Sequence, residues 1–257
     1  MDALEHVRAV ASEFSATELE QQPGKSRYEL ALRLPSSETV VYSLEVINYA
    51  SGKVTVKERP RKRLPACCPE RHINAGGTFC LNWEAGDPLE IVDGQSARSW
   101  WSLLTAFLRR QEAVARIRKW IGPSYAHGEA AAFQREAERA AANLGKEFES
   151  LLDEGQLQLR RDQRHGKDRI ELLRNLEVVA RLNPSTKELT NASMACVCAL
   201  GRSGSSISDC GTHANDLKTL ITSLGKWRKF EAQFIEDLKR RGTKCCGTLD
   251  SCPLRSR

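Results

Sequence analysis

The chain has 257 residues, enough to bury a substantial core in one large or two modest domains. Its 39 Lys and Arg residues nearly balance its 33 Asp and Glu residues, so the net charge of +6 argues against a nucleic-acid partner. The N-terminal MDALEHVRAVASEFS lacks the apolar core of a signal peptide, and no membrane-spanning apolar run follows. We therefore expect a soluble, cytoplasmic protein whose nine cysteines are thiols or metal ligands rather than disulfides.

The first elements predict an α+β arrangement. ALEHVRAVASEF spaces apolar residues at helical intervals, which predicts a short amphipathic helix. Three segments with alternating apolar residues predict an antiparallel meander: SRYELALRL, TVVYSLEVI and KVTVKERP. The prolines that follow predict an irregular loop at residues 71–83, RHINAGGTFCLNW, where Gly76 and Gly77 suit a tight reversal.

Helical periodicity dominates the rest of the chain. Residues 96–121 predict a long amphipathic helix, and residues 129–153 predict another in which Gly145 weakens the middle. Residues 168–182 fit both the helical and the strand period and stay unresolved. NPSTKELTNAS, at residues 183–193, has the composition of a linker, and residues 215–240 predict a last amphipathic helix. These patterns divide the chain into residues 1–128, a helical extension at 129–184 and a cysteine-rich region at 185–257.

Cys80 has three interpretations from its residue type and setting. A cysteine between Phe79 and Leu81 is most often an inert, packed residue. It could complete a zinc site with Cys67, Cys68 and His72, although adjacent cysteines are poorly spaced to bind one ion. It could also be a nucleophile beside a positioned His72 and Asn74.

The order of elements resembles a ubiquitin-conjugating enzyme. An N-terminal helix, a meander, a His-x-Asn loop, a glycine turn, Cys-Leu and a Trp-containing helix follow one another from about residue 3 to residue 120. Ile73 stands where the family usually has proline, and the spacing from Asn74 to Cys80 is short. Both features are similar to the bacterial branch, as is YAHGE at residues 125–129.

The resemblance implies a UBC-like domain and a chemical role for the loop. It assigns Cys80 as the thioester nucleophile, Asn74 as the donor to the oxyanion, and His72 as a brace for the loop. It also implies a ubiquitin-like protein as cargo, an adenylating activating enzyme as its source and a protein target. Bacterial relatives of this kind occur in antiphage conjugation operons, so the resemblance implies a role in antiviral defence. The base for the incoming amine stays open among Glu84, Asp87 and Asp93.

The C-terminal cysteines predict zinc. Cys196, Cys198, Cys210 and His213 offer three thiols and an imidazole, a full tetrahedral set. The remaining cysteines, Cys245, Cys246 and Cys252, either replace a member of that set or form an incomplete second site that needs a ligand from elsewhere. We expect the metal to be structural, because a tail rich in Gly and Ser buries little core by itself.

A second class of function stays open beside the conjugating carrier. The basic run RPRKR at residues 59–63 and the cysteine-rich tail together would suit a non-enzymatic zinc module that binds nucleic acid or protein. This alternative predicts that function survives loss of the Cys80 thiol and that binding weakens steeply with salt.

Overall fold

The computed structural model describes residues 2–49, 53–83, 88–121, 125–163, 168–196 and 205–255. The chain forms two compact units, one comprising Met1–Ser124 with Ile235–Arg257 and the other Tyr125–Phe234. This division differs from the predicted sequence of three consecutive regions. Residues 129–184 share a unit with most of the region after them, and the last stretch of the chain belongs to the N-terminal unit.

An antiparallel meander forms the sheet of the first unit. Helix α1 (Ala3–Ala9) and a 3-10 helix (Ala11–Phe14) precede strands β1 (Ala16–Gln22), β2 (Lys25–Arg33), β3 (Thr39–Asn48) and β4 (Val54–Glu58), which pair in chain order. The predicted helix and the three predicted strands, β2 to β4, are confirmed. Strand β1 was missed because it is an edge strand whose mostly exposed side chains carry no apolar alternation.

Helix α2 (Gly94–Ile117) packs on this sheet and confirms the predicted long helix. Asp93 begins it with a capping box, since its carboxylate accepts a hydrogen bond from the Ser96 N–H. Trp100 and Trp101 are fully buried, and the Trp101 indole N–H donates to the Val7 carbonyl at 2.9 Å. This bond satisfies the polar end of a large buried side chain and fastens α1 to α2.

The second unit is mixed rather than mainly helical. It contains helices α3 (Ala130–Leu144) and α4 (Lys146–Asp153), strands β5 (Leu157–Asp162), β6 (Arg169–Arg174) and β7 (Glu177–Leu182), and the first portion of helix α5 (His213–Arg240). The three strands form one antiparallel sheet in chain order. The ambiguous segment 168–182 is therefore a hairpin, and the helix at residues 215–240 is confirmed.

Gly145 ends α3 instead of weakening one continuous helix. It has φ 120°, a conformation that side-chain-bearing residues rarely adopt. None of the described helices has the length and apolar character needed to cross a membrane.

Candidate functional site

A tight turn places His72 in the loop after β4. A 3-10 turn (Pro69–Arg71) ends at His72, whose φ of 54° is left-handed and whose N–H donates to the Pro69 carbonyl at 2.7 Å. The His72 carbonyl accepts the Cys80 N–H at 2.8 Å, so the backbone joins the two residues directly. The imidazole is buried and lies 5.0 Å from the Trp120 ring. These contacts hold both the backbone and the ring of His72 in place within the loop.

A glycine turn joins Asn74 to the segment that carries Cys80. The Asn74 N–H donates to the Thr78 carbonyl at 2.8 Å, and the Gly77 N–H donates back to the Asn74 carbonyl at 2.9 Å. Gly76 and Gly77 have φ of 93° and 88°, which explains the two glycines. The Asn74 amide Nδ2 donates to Thr78 Oγ1 at 3.3 Å and is exposed. The amide is therefore held by a long, exposed contact that a ligand can replace.

Cys80 lines an open groove of about 680 Å³. Its side chain is half-buried, and its Sγ donates to the Asn82 carbonyl at 3.5 Å. Asn74 and Thr78 line the same groove, together with Leu89 and the N-terminal portion of β4. The structure thus brings Cys80 and Asn74 to one solvent-accessible surface. The Cys80 backbone is hydrogen-bonded to that of the buried His72.

Of the three candidates for a base, one lies within the described residues. Asp93 is the helix cap of α2, and hydrogen bonds from the Ser96 backbone and side chain hold the pKa of its carboxyl below the usual range. Glu84 and Asp87 lie outside the described residues.

Three of the predicted tail ligands come together at the start of α5. The ligand atoms of Cys196, Cys210 and His213 all lie within 4.8 Å of one another. His213 Nδ1 is 3.5 Å from the Cys196 sulfur and 3.2 Å from the Cys210 sulfur. The fourth predicted ligand, Cys198, lies outside the described residues. Two thiols and an imidazole at these separations suit a tetrahedral zinc ion that takes a fourth ligand.

Comparison with protein families covers both the N-terminal and the C-terminal halves of the chain. A family model described as "Prokaryotic E2 domain" matches residues 15–122, and one described as "Cysteine-rich domain, C-terminal to E2 domain" matches residues 126–254. The chain belongs to the prokaryotic E2 proteins that carry this cysteine-rich domain. A search of curated proteins and a search of solved structures found no significant match.

The E2 match includes the whole loop that carries His72, Asn74 and Cys80. The resemblance to a conjugating enzyme is thereby confirmed at the level of the family. An E2-like domain in general interacts with a ubiquitin-like protein and with the activating enzyme that supplies it.

The last three cysteines of this E2 protein do not share a unit with the tail cluster. Cys245, Cys246 and Cys252 fall in the first unit, whereas Cys196, Cys210 and His213 fall in the second. The Cys246 sulfur lies 3.1 Å from the sulfur of Cys68, which precedes the His72 turn. Of the two predicted alternatives for the last three cysteines, this contact is compatible with a second group that takes a ligand from elsewhere in the chain, here Cys68 of the first unit, which we call the E2 unit.

The thiols of this second group differ in acidity. The contact with Cys68 and hydrogen bonds from Thr248 lower the pKa of Cys246 to about 5. The same contact, with burial, raises the pKa of Cys68. Burial raises the pKa of Cys252 to about 11 and also raises the pKa of the adjacent Cys67. A thiolate in this group is thus most readily formed at Cys246.

Sequence reasoning missed Arg71, the residue that joins this group to the loop. Its side chain is 1% exposed. Its guanidinium donates to Gln111 Oε1 at 2.7 Å, to the Gln111 carbonyl at 3.3 Å and to Thr248 Oγ1 at 3.0 Å. An arginine beside a motif histidine gives no sign in the sequence that it is buried, because its partners lie far along the chain.

Proposed function

We propose that this protein is a conjugating carrier that holds a ubiquitin-like protein as a thioester on Cys80. The observation that carries the proposal is the placement of Cys80 and Asn74 in one open groove of an E2-family domain. A half-exposed thiol in a groove suits a carrier that must meet both a donor and an acceptor protein.

The reaction has two acyl transfers. The Cys80 thiolate attacks the thioester carbonyl of the ubiquitin-like protein on the activating enzyme, and the donor thiolate leaves. An amine of the protein target then attacks the new thioester, which gives a tetrahedral oxyanion. Collapse of that intermediate forms the amide and releases the Cys80 thiolate, while the amine proton passes to a base.

Asn74 is the donor to that oxyanion in this proposal. Its Nδ2 contact with Thr78 is long and exposed, so the amide can turn toward the groove at little cost. His72 acts as the brace, since its backbone holds Cys80 and its ring packs against Trp120. The predicted roles of all three residues are compatible with this arrangement.

Zinc at the tail cluster would be structural. Cys196, Cys210 and His213 would hold the ion, with Cys198 as the predicted fourth ligand. The ion would fix the start of α5 to the segment before it, and it takes no role in the transfer.

The first experiment is intact mass under non-reducing conditions. The protein is incubated with a ubiquitin-like protein, its activating enzyme and ATP, and wild type is compared with Cys80→Ala. The matched control is Cys67→Ala, because Cys67 is another half-buried thiol of the same unit. We expect a covalent adduct in wild type and Cys67→Ala that thiol removes, and none in Cys80→Ala.

The same variants test the proposed role in antiviral defence. In cells challenged with phage, protection should require Cys80 and survive the Cys67 substitution. An active donor that loads none of the three proteins would contradict the carrier proposal. Salt-sensitive nucleic-acid binding that persists in Cys80→Ala would then favour the non-enzymatic zinc module.

A further inference from the structure

The second cysteine group joins the C-terminal end of the chain to the base of the active-site loop. Cys68 pairs with Ile73 through two backbone bonds, of 2.9 and 3.0 Å, so it lies at the foot of the loop that holds His72 and Asn74. Cys68 is 1% exposed and Cys252 is 6% exposed. Buried thiols gathered from distant segments of a chain are typical of a structural metal site.

Hydrogen-bonding groups lie against two of the sulfurs in this group. The Gly247 N–H donates to the Cys245 sulfur at 3.4 Å, and the Thr248 hydroxyl lies 3.0 Å from the Cys246 sulfur. Bonds donated to sulfur stabilise thiolates over thiols, as the outer hydrogen bonds of metal sites do.

The buried Arg71 guanidinium supplies an independent indication of negative charge. A buried cation is costly unless an anion lies near it. Among the described carboxylates, none forms an ion pair with Arg71 within 4.0 Å, and its hydrogen bonds go to neutral groups. The groups that act most on its charge are the thiols of Cys68 and Cys246, ahead of the Tyr42 hydroxyl and the more distant Glu112 carboxylate. Arg71 is therefore placed to offset a thiolate cluster.

We propose that Cys68, Cys245, Cys246 and Cys252 bind one zinc ion in the E2 unit, with Arg71 as the neighbouring counter-charge. The four cysteines bind as thiolates, so the resulting site carries two negative charges. The ion would hold the C-terminal segment against the start of the active-site loop, at Cys68. The site is separate from the tail cluster, and the inference does not rest on thioester transfer.

Zinc fits the contact between Cys68 and Cys246 better than a disulfide does. Two sulfurs on one tetrahedral zinc ion lie about 3.8 Å apart, and two sulfurs in a disulfide about 2 Å apart. The observed 3.1 Å requires a small movement in either case. Cys245 and Cys252 must also move to reach the ion. Among the described residues, only the tail cluster has three ligand atoms that already lie within 4.8 Å of one another. A disulfide between Cys68 and Cys246 would give no role to the thiols of Cys245 and Cys252 or to the buried Arg71 guanidinium.

The test is the zinc content of the full-length protein, measured by elemental analysis and by native mass. We expect two zinc ions in wild type and one in Cys68→Ser and in Cys246→Ser. The matched control is Cys67→Ser, which changes the neighbouring half-buried thiol and should keep two. His213→Ala should also lose one ion, and its combination with Cys68→Ser should lose both. The two substitutions therefore distinguish loss of zinc from the tail cluster from loss of zinc from the second cysteine group.

Wild-type protein provides a second readout that does not depend on a variant folding. Iodoacetamide should label Cys245 and Cys246 slowly in the zinc-loaded protein and much faster after a chelator. Equal labelling of Cys246 before and after chelation would overturn the proposal. So would zinc retained in both serine variants, or an untreated protein lighter by two hydrogens with Cys68 linked to Cys246.

Discussion

At the scale of single residues, Asn74 is the proposed donor to the oxyanion. Its amide contacts Thr78 Oγ1 at 3.3 Å beside the groove that contains Cys80. Asn74→Ala should leave loading of Cys80 nearly unchanged and slow transfer to an amine by roughly 10²–10³, the usual effect of removing one oxyanion donor. The measurement is a single-turnover chase of preformed thioester with free lysine, and Thr78→Ala is the control. A parallel fall in loading would instead indicate a damaged loop.

The sequence could predict the portion of the site that is local. His72, Asn74 and Cys80 lie in one short loop, so the sequence offered a joint role as one of three interpretations of Cys80, and the resemblance to a conjugating enzyme implied that role. Trp120 beside His72 and Thr248 beside Arg71 could not be predicted, because packing between distant segments creates these contacts. Spacing reports neighbours along the chain, whereas burial of an arginine depends on the folded unit.

At the scale of elements, Glu171 joins the three strands of the second unit. Its carboxylate is 1% exposed and accepts hydrogen bonds from Arg160 on β5, at 2.6 Å, and from Arg181 on β7, at 2.9 Å. Burial would raise the pKa of Glu171, but the bonds from Arg181 and Arg160 outweigh it and the pKa is lowered. Glu171 therefore stays charged at neutral pH and holds both edge strands to β6.

Glu171→Gln should lower the free energy of unfolding of this sheet by about 1–3 kcal/mol at neutral pH, since two guanidinium groups lose a charged partner. The folded pKa is depressed, so the stabilisation is present above the ordinary glutamate pKa and is lost as the pH falls through the folded value. Thermal unfolding of variant and wild type should thus converge in acid. Asp168→Asn removes the exposed partner of Arg161 and should change little. A difference that persists in acid would contradict the assignment.

In the second unit, the sequence missed β5 and left β6 and β7 unresolved. Strands β5 and β6 carry arginines and acids that pair with one another, so polar residues stand where an alternating apolar pattern would be expected. The β6–β7 turn uses Asn175 and Leu176 at φ of 51° and 71°, a hairpin geometry usually marked by glycine. By contrast, α2 and α5 were predictable because each buries a long apolar stripe.

At the scale of the whole molecule, the last residues of the chain belong to the first unit. A division made in chain order places every residue after 185 in one region. In the structure, the C-terminal segment 245–254 instead belongs to the first unit, where two arginines hydrogen-bond to it. Arg71 donates to Thr248, and Arg118, which ends α2 in a left-handed conformation, bonds Asp250 at 2.7 Å. Linear composition cannot reveal such a return of the chain.

This arrangement predicts that the C-terminal segment stabilises the active-site loop. A chain ending at Gly242 loses the Thr248 partner of Arg71 and the buried Leu249 and Leu254. The free energy of local opening at residues 68–80 should fall by about 2–4 kcal/mol. Hydrogen exchange of these amides should accelerate by roughly 10²-fold.

Amides of β6 in the second unit are the internal control and should exchange at the full-length rate. Equal acceleration in both units would show that truncation destabilises the fold in general. Unchanged exchange at residues 68–80 would show that the loop is held by the meander and α2 without the C-terminal segment. Acceleration confined to the loop would mean that the end of the chain shapes the surface on which Cys80 and Asn74 lie.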